Sequence, residues 1–190
     1  MHRPITILST KVLRATSQAR AAQEDCLLDM LPFIRIEYAG LPEGWAGGAD
    51  RITAIFTSAH AVSAYAALEE QPEVSAVFCI AGATERTVQE LLPGVRVLAS
   101  RPYAAELVAV ILQQQAVPEA PLFFFCGDQR MATVPDGLTQ AGIAFEERVV
   151  YRNIACPQLI AKDYDGILFF SPSAVHSYFS CNALPEQTLT

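Results

Sequence analysis

The sequence predicts an α/β fold of doubly wound parallel sheets, and three observations support this prediction. From Arg51 onward, short apolar runs alternate with segments of helical spacing, the pattern of strand–helix units in a parallel sheet. A strand, a Ser/Thr turn and a helix occur twice, at residues 56–65 and 169–178, with matching residue types. Hydrophobic residues make up 52% of the 190 residues and charged residues 17%, so the chain can bury a sizeable core.

The first fifty residues predict two strands, a helix and a loop. Residues 5–10 are apolar and rich in β-branched side chains, which is typical of a short buried strand. Apolar and small residues then recur at helical spacing over 16–31, which predicts a helix, and residues 33–38 alternate as a second strand. Residues 40–50 contain Pro42, Trp45 and four glycines, a composition typical of a loop or linker.

Strands and helices then alternate along the rest of the chain. We predict strands over 52–56, 74–80, 95–99 and 121–126, alternating with helices over 59–69, 84–92, 104–115 and 131–141. The alternating run 145–151 leads out of this series, and 154–165 is a polar crossing. A strand over 167–170 and a helix over 174–182 follow. After a turn at 185–187, the last three residues read as the start of another strand.

This order of elements predicts two domains. Domain 1 takes residues 1–38 and 153–190, domain 2 takes residues 51–146, and residues 39–50 and 147–152 form the two connections between them. A double connection permits a hinge, and a cleft between domains is a usual ligand site. Because a parallel sheet rarely ends on the first residues of a strand, we expect domain 1 to be truncated at its C-terminus.

Charge and cysteine content restrict the partners and the compartment. The net charge of −7 argues against nucleic acid or an anionic membrane as partner. No apolar run is long enough to span a bilayer, and the N-terminus lacks the features of a signal peptide. The five cysteines are widely spaced and form no CxxC pair, so we expect reduced thiols in a cytoplasmic protein.

The repeated Ser/Thr turn is the strongest functional signal. Thr57-Ser58-Ala59-His60 opens the first helix of the pair, and Ser171-Pro172-Ser173 opens the second. Helix starts present N–H groups and a positive dipole end that bind anions, so two copies suggest related half-molecules that face one ligand. The alternative, which either copy alone would favour, is that Ser58 and Ser171 only cap their helices.

Other candidates lie at the carboxyl ends of predicted strands, where doubly wound sheets place ligands. Ala83 and Thr84 belong to a glycine turn whose N–H groups could approach a ligand. Gly127 and Arg130 follow a strand, and Arg130 could pair with a carboxylate. Tyr151 could donate a hydrogen bond or a proton. The alternatives are a plain tight turn, a solvated arginine and a half-buried strand tyrosine.

Several familiar kinds of catalytic site find no support in the sequence. The three histidines are isolated, with no cysteine or carboxylate at ligand spacing, so we expect no metal site. Neither GxGxxG nor Walker A is present. Ser58 and Ser171 have no evident base beside them, which argues against a serine nucleophile.

A series of short segments can be followed along the chain: Phe56-Thr57-Ser58, Ala61-Val62, Ala83-Thr84, Phe125-Cys126-Gly127, Leu138, Gly142-Ile143, Val150-Tyr151 and Phe169-Phe170-Ser171-Pro172-Ser173. Each motif is weak alone, but their order and spacing are fairly specific. In that order, over nearly the whole chain, they resemble the uroporphyrinogen-III synthase family. The chain departs from the family pattern at Ala81, where the family turn has glycine, and in ending before the family chain does.

The resemblance implies two flavodoxin-like domains joined by a two-stranded connection. It also implies a cofactor-free lyase of tetrapyrrole and haem biosynthesis. Such an enzyme closes hydroxymethylbilane with loss of water and inversion of ring D, giving uroporphyrinogen III. Backbone N–H groups and helix starts hold the substrate carboxylates, and Tyr151 is the residue expected to help the hydroxyl leave.

Two further expectations concern partners and an alternative function. We expect a monomer that receives its substrate from hydroxymethylbilane synthase. The alternative function is a non-catalytic anion- or tetrapyrrole-binding module of the same fold. Its turns would bind the same anions without promoting ring closure.

Overall fold

The computed structural model describes residues 3–114 and 120–183. In chain order its elements are β1 (Ile5–Ser9), α1 (Ala15–Gln23), β2 (Cys26–Met30), β3 (Ile34–Tyr38), β4 (Arg51–Phe56), α2 (Ala59–Ala66), β5 (Glu73–Ile80), α3 (Ala83–Leu91), β6 (Arg96–Arg101), α4 (Ala104–Gln113), β7 (Leu122–Gly127), α5 (Thr133–Gln140), β8 (Glu146–Ala155), β9 (Gly166–Leu168) and α6 (Pro172–Phe179). The predicted fold class, α/β with parallel sheets, is confirmed.

The chain forms two compact units. Unit 1 consists of Met1–Arg35 and Asn153–Thr190, and unit 2 of Ile36–Arg152. The chain passes from one unit to the other within β3 and again within β8. Each unit has its own sheet and its own apolar core.

Unit 1 is built on a three-stranded parallel sheet. Strand β1 lies in the centre, with β2 on one side and β9 on the other. Leu8 on β1 packs with Phe33, Ala174 and Tyr178 in a core whose members are at most 3% exposed. The rings of Phe33 and Tyr178 lie 5.3 Å apart, so helix α6 is packed over the end of the sheet by aromatic contacts.

Unit 2 contains a six-stranded sheet in the order β3-β8-β7-β4-β5-β6. Strand β7 is buried along its whole length. Phe123 and Phe125 face a core shared with α2 and α3, whereas Phe124 faces a second core shared with α4 and α5. Successive strand residues point to opposite faces. A strand covered by helices on both faces is therefore apolar throughout rather than alternating.

The predicted helix over 16–31 is wrong in its second half. Helix α1 ends at Gln23, Asp25 adopts a left-handed φ of 54°, and Cys26–Met30 form β2 beside β1. A short apolar run fits a helix face or a buried strand equally well by periodicity. Here pairing with β1 supplies the backbone hydrogen bonds of residues 26–30, and helix α1 itself has no buried residue.

Smaller differences concern the ends of elements. Strand β8 continues to Ala155, two residues into the predicted polar crossing, and α6 begins at Pro172, two residues before the predicted start. Proline is well suited to the first turn of a helix, because a backbone N–H at that position would have no partner within the helix. The turn and strand predicted over 185–190 lie outside the described residues, as does residue 115 of the predicted fourth helix.

The glycine-rich segment 40–50 is irregular, as predicted for a loop, but it also covers the core of unit 2. Trp45 lies 6.3, 5.3 and 5.6 Å, between ring centroids, from Tyr65, Phe123 and Phe125. Its carbonyl oxygen accepts a hydrogen bond of 2.8 Å from Arg148. The segment is therefore attached by aromatic packing and by a charged donor. In the described part of the chain, no helix has the length and apolar character needed to cross a membrane.

We predict that Trp45→Ala lowers the free energy of unfolding by about 2–3 kcal/mol, because it removes a large aromatic side chain from a packed cluster. Urea unfolding followed by circular dichroism measures this loss. The control is Tyr103→Ala, whose side chain is 69% exposed and should change stability by no more than about 0.5 kcal/mol. Equal midpoints for the two variants would contradict the role given to Trp45.

Candidate functional site

Three of the predicted site residues meet at the carboxyl edge of the unit 2 sheet. Ser58 follows β4, Gly127 ends β7, and Tyr151 lies beside Gly127 on the neighbouring strand β8. The Tyr151 hydroxyl donates a hydrogen bond of 3.2 Å to Ser58 Oγ. Tyr151 is 9% exposed. A nearly buried phenol with a fixed partner thus lies where doubly wound sheets place their ligands.

Ser58 also caps helix α2. Its Oγ accepts a 3.1 Å hydrogen bond from the backbone N–H of His60. Together with the phenol of Tyr151, this gives the Ser58 oxygen two donors, which uses both of its lone pairs. The His60 ring lies 5.8 Å from the Tyr151 ring, tilted by 57°. Ser58 therefore links the start of α2 to the Tyr151 side chain on β8 through two hydrogen bonds.

The other copy of the Ser/Thr turn has the same form in unit 1. Ser171 caps helix α6, its Oγ accepts a 3.2 Å hydrogen bond from the N–H of Ala174, and Pro172 opens the helix. The ammonium of Lys11 lies 5.7 Å from the ring centroid of Phe170, next to the cap. Both copies are helix caps, as the alternative interpretation requires, and a cap does not preclude anion binding.

The Ala83–Thr84 turn is organised by the glycine before it. Gly82 caps helix α3 with φ of +85°, a left-handed conformation that side chains rarely adopt. Thr84 is 5% exposed, so its side chain lies inside the unit, while Ala83 is exposed at the start of the helix. This turn could therefore contact a ligand mainly through its backbone groups.

Arg130 is engaged within the protein. Its Nε and Nη2 donate to the two carboxylate oxygens of Glu147, each at 2.8 Å. This two-point geometry is the strongest form of arginine–carboxylate pairing. A ligand carboxylate would have to compete with Glu147, and binding of ligand by Arg130 stays a prediction. No local pattern indicated this pair, because its members lie 17 residues apart.

The two buried thiols of unit 2 are poor nucleophiles. Burial raises the pKa of Cys126, directly before Gly127, to about 12. Burial likewise raises the pKa of Cys79 to about 11. Since the thiolate is the reactive form, neither thiol is activated as a nucleophile near neutral pH.

A large open groove of about 810 Å³ lies elsewhere on unit 2. It is lined by residues 40–50 and 67–72, which precede β4 and β5 and so lie at their amino ends. Glu43, Asp50, Glu69 and Glu70 are among its lining residues, and these carboxylates would repel an anion. Because no predicted site residue lines it, we place the candidate site at the carboxyl edge despite the size of this groove.

Among the described residues, no group of three or more His, Cys, Asp or Glu could hold a metal ion. Besides the paired Arg130 and Glu147, the polar groups at the carboxyl edge include hydroxyls, helix-start N–H groups and the imidazole of His60. Such groups suit hydrogen bonding to anions and proton donation. The fold and the site together define a doubly wound α/β protein. It has capped helix starts and a buried tyrosine at the carboxyl ends of its parallel strands.

The chain belongs to the uroporphyrinogen-III synthase family. The family model described as uroporphyrinogen-III synthase HemD matches residues 23–183, which include both copies of the Ser/Thr turn, Gly127 and Tyr151. No curated protein matches the chain.

Solved structures of the same family share the fold. Uroporphyrinogen-III synthetase from Helicobacter pylori has a TM-score of 0.66 at 15% identity, over 96% of this chain and 80% of that one. A mutant uroporphyrinogen III synthase from Thermus thermophilus has a TM-score of 0.55 at 15% identity, over 80% of this chain and 64% of that one. This chain thus spans less than two thirds of the Thermus protein.

We predict that Ser58→Ala lowers the free energy of unfolding by about 1 kcal/mol, because it removes the helix cap and the acceptor of the Tyr151 phenol. Thermal or urea unfolding measures the change. Ser63→Ala, in the middle of the same helix, is the control and should be close to neutral. A loss no larger than that of the control would show that the cap contributes nothing.

Proposed function

We propose that the chain is a uroporphyrinogen-III synthase, a lyase that converts hydroxymethylbilane into uroporphyrinogen III and water. The observation that carries the proposal is the Tyr151 phenol, hydrogen-bonded to the capping Ser58, in a member of this family. The linear substrate must lose its terminal hydroxyl, and the tyrosine is an O–H donor of the kind that this step needs.

The proposed chemistry begins with proton donation. Tyr151 donates to the leaving hydroxyl, whose C–O bond breaks to release water and leave an electron-poor methylene carbon. The substituted carbon of ring D attacks this methylene and gives a spiro intermediate. The bond from that carbon to its original methylene bridge then breaks, and the released methylene bonds to the unsubstituted α-carbon of ring D, which inverts the ring. The proton lost from that α-carbon restores the Tyr151 phenol. Without an enzyme, ring closure gives the uninverted isomer I. The protein must therefore hold the chain so that the substituted carbon is the one within reach, which is catalysis by orientation.

Anion binding by this acidic chain relies on local dipoles. The substrate carboxylates would accept hydrogen bonds from the N–H groups of residues 57–59 and, in unit 1, of Ser171 and Ser173, with Pro172 placed between them at the start of the helix. Ala83, Thr84 and Arg130 are further proposed contacts. The net charge of −7 is spread over the whole chain and screened by salt beyond roughly 10 Å. Aligned N–H groups at contact distance can therefore outweigh it.

The remaining parts of the proposal concern partners and setting. We propose a cofactor-free, monomeric, cytoplasmic enzyme whose substrate comes from hydroxymethylbilane synthase. A non-catalytic tetrapyrrole-binding member of the family is the second candidate. It is favoured by the two capped helix starts, which could bind the same anions without promoting ring closure.

A coupled assay tests the function. Freshly made hydroxymethylbilane is added, the reaction is quenched and oxidised, and the type I and type III porphyrins are separated by chromatography. We expect type III in excess over the enzyme-free control, because the protein presents the substituted carbon of ring D. Type I alone, together with measurable binding of the substrate, would support the second candidate and refute the enzyme.

We predict that Tyr151→Phe lowers kcat on the order of tenfold or more and leaves KM nearly unchanged, because the proton donor acts in the transition state. The control is Tyr65→Phe, which also removes a buried phenol, here one that donates to the Pro72 carbonyl at 2.6 Å. That variant should lose some stability but keep its kcat. If kcat of Tyr151→Phe equals that of the unaltered protein, Tyr151 has no part in the reaction.

A further inference from the structure

We propose that Gly127 is a positioning residue that fixes the Tyr151 phenol by leaving empty the space where a side chain would lie. The inference rests on the function proposed for Tyr151. It gives Gly127 a role toward a neighbouring side chain, in place of the ligand contact expected from its position after a strand.

The contact between the two residues is very close. A Cβ atom added at Gly127 would lie 2.5 Å from Cζ of Tyr151, 2.6 Å from Cε2 and 2.8 Å from the hydroxyl oxygen. Non-bonded carbon atoms normally stay about 3.5–4.0 Å apart. The end of the tyrosine ring therefore occupies the place of the missing methyl group, and any residue other than glycine would displace it.

The backbone at Gly127 has no need of glycine. Six other glycines adopt positive φ values, whereas Gly127 is an ordinary residue of strand β7. Glycine inside a strand costs conformational entropy and contributes no side chain to packing. Since the strand otherwise consists of leucine, three phenylalanines and cysteine, the space for Tyr151 is the structural reason for glycine here.

The register of the sheet brings the two residues together. Cys126 pairs with Val149, but Gly127 pairs with Tyr151, so an irregularity in the ladder passes over Val150. The carbonyl oxygen of Tyr151 accepts a 3.1 Å hydrogen bond from the N–H of Asp128. A bulge of this kind redirects a side chain next to a functional site.

Alanine at this position should therefore move the ring and leave the fold intact. The Tyr151 backbone is held by Asp128, whereas its hydroxyl is held by a single 3.2 Å bond to Ser58 Oγ. The end of the Tyr151 side chain can move at a lower energetic cost than strands β7 and β8 of the six-stranded sheet. A displaced phenol would lose Ser58 and its alignment with the leaving hydroxyl, and a misplacement of about 1 Å can cost on the order of 100-fold in rate.

The kinetic test compares Gly127→Ala with Gly40→Ala, where an added Cβ meets nothing within 4 Å. We expect Gly127→Ala to lower kcat roughly 10- to 100-fold, with KM nearly unchanged, and Gly40→Ala to change neither. In a Tyr151→Phe background, Gly127→Ala should cause little further loss, since the hydroxyl it displaces is already gone. A rise in KM alone, or a loss that adds fully to that of Tyr151→Phe, would mean that Gly127 contacts the substrate and does not position Tyr151.

A second measurement is independent of activity. In protein labelled with 13C at tyrosine Cζ, the Tyr151 signal is assigned as the one lost in Tyr151→Phe. We expect Gly127→Ala to shift this signal and Gly40→Ala to leave it in place. If Gly127→Ala shifts the signal but the unaltered protein makes no type III product, the positioning of Tyr151 is supported and the proposed function is refuted. An unshifted signal in an active enzyme would refute the positioning role alone.

Should Gly127→Ala fold poorly, its stability gives the same answer. The unfolding midpoint lost through Gly127→Ala should be regained in a Tyr151→Ala background, where the clashing ring is absent. An equal loss in both backgrounds would place the strain in the strand and overturn the inference.

Discussion

The contact of the Tyr151 ring with the bare backbone of Gly127 is the constraint on which the site depends. It requires a glycine at the end of β7, an irregular register between β7 and β8, and Ser58 at the start of α2 to receive the phenol. The end of β4, the end of β7 and the middle of β8 are thereby joined through one side chain. Because each partner is fixed by regular structure, the hydroxyl is held in place before any ligand arrives.

The sequence was sufficient for the fold wherever periodicity was unambiguous. Alternation of strands and helices beyond Arg51 was recognised because buried strands and amphipathic helices differ in period and length. The prediction from periodicity is wrong at β2, because its five residues fit either a helix or a strand and only the pairing with β1 makes them a strand. The packing of Trp45 was also missed, since its aromatic partners Phe123 and Phe125 lie far along the chain. Such contacts depend on tertiary structure, which local patterns do not encode.

For the site, the sequence indicates which residues have suitable chemistry, but it does not indicate which other residues they contact in the folded chain. Ser58 was recognised from helix-start chemistry, and Tyr151 from its resemblance to a family tyrosine. Their hydrogen bond spans 93 residues and depends on the order of strands β4, β7 and β8 and on the register between β7 and β8. The same limit applies to Arg130, whose engagement with Glu147 depends on two neighbouring strands, and to Gly127, whose role is defined by the side chain it accommodates.

We propose that a tetrapyrrole binds at the carboxyl ends of the unit 2 strands, and hydrogen–deuterium exchange can test this binding site. Exchange is measured with and without uroporphyrinogen III. Ligand bound to the α2 start should slow exchange of the N–H groups over residues 57–60 and 127–130, because they become hydrogen-bonded or shielded. Residues 40–50 and 67–72, which line the acidic groove, should exchange as before. Protection confined to the groove, or no protection anywhere, would contradict the claim.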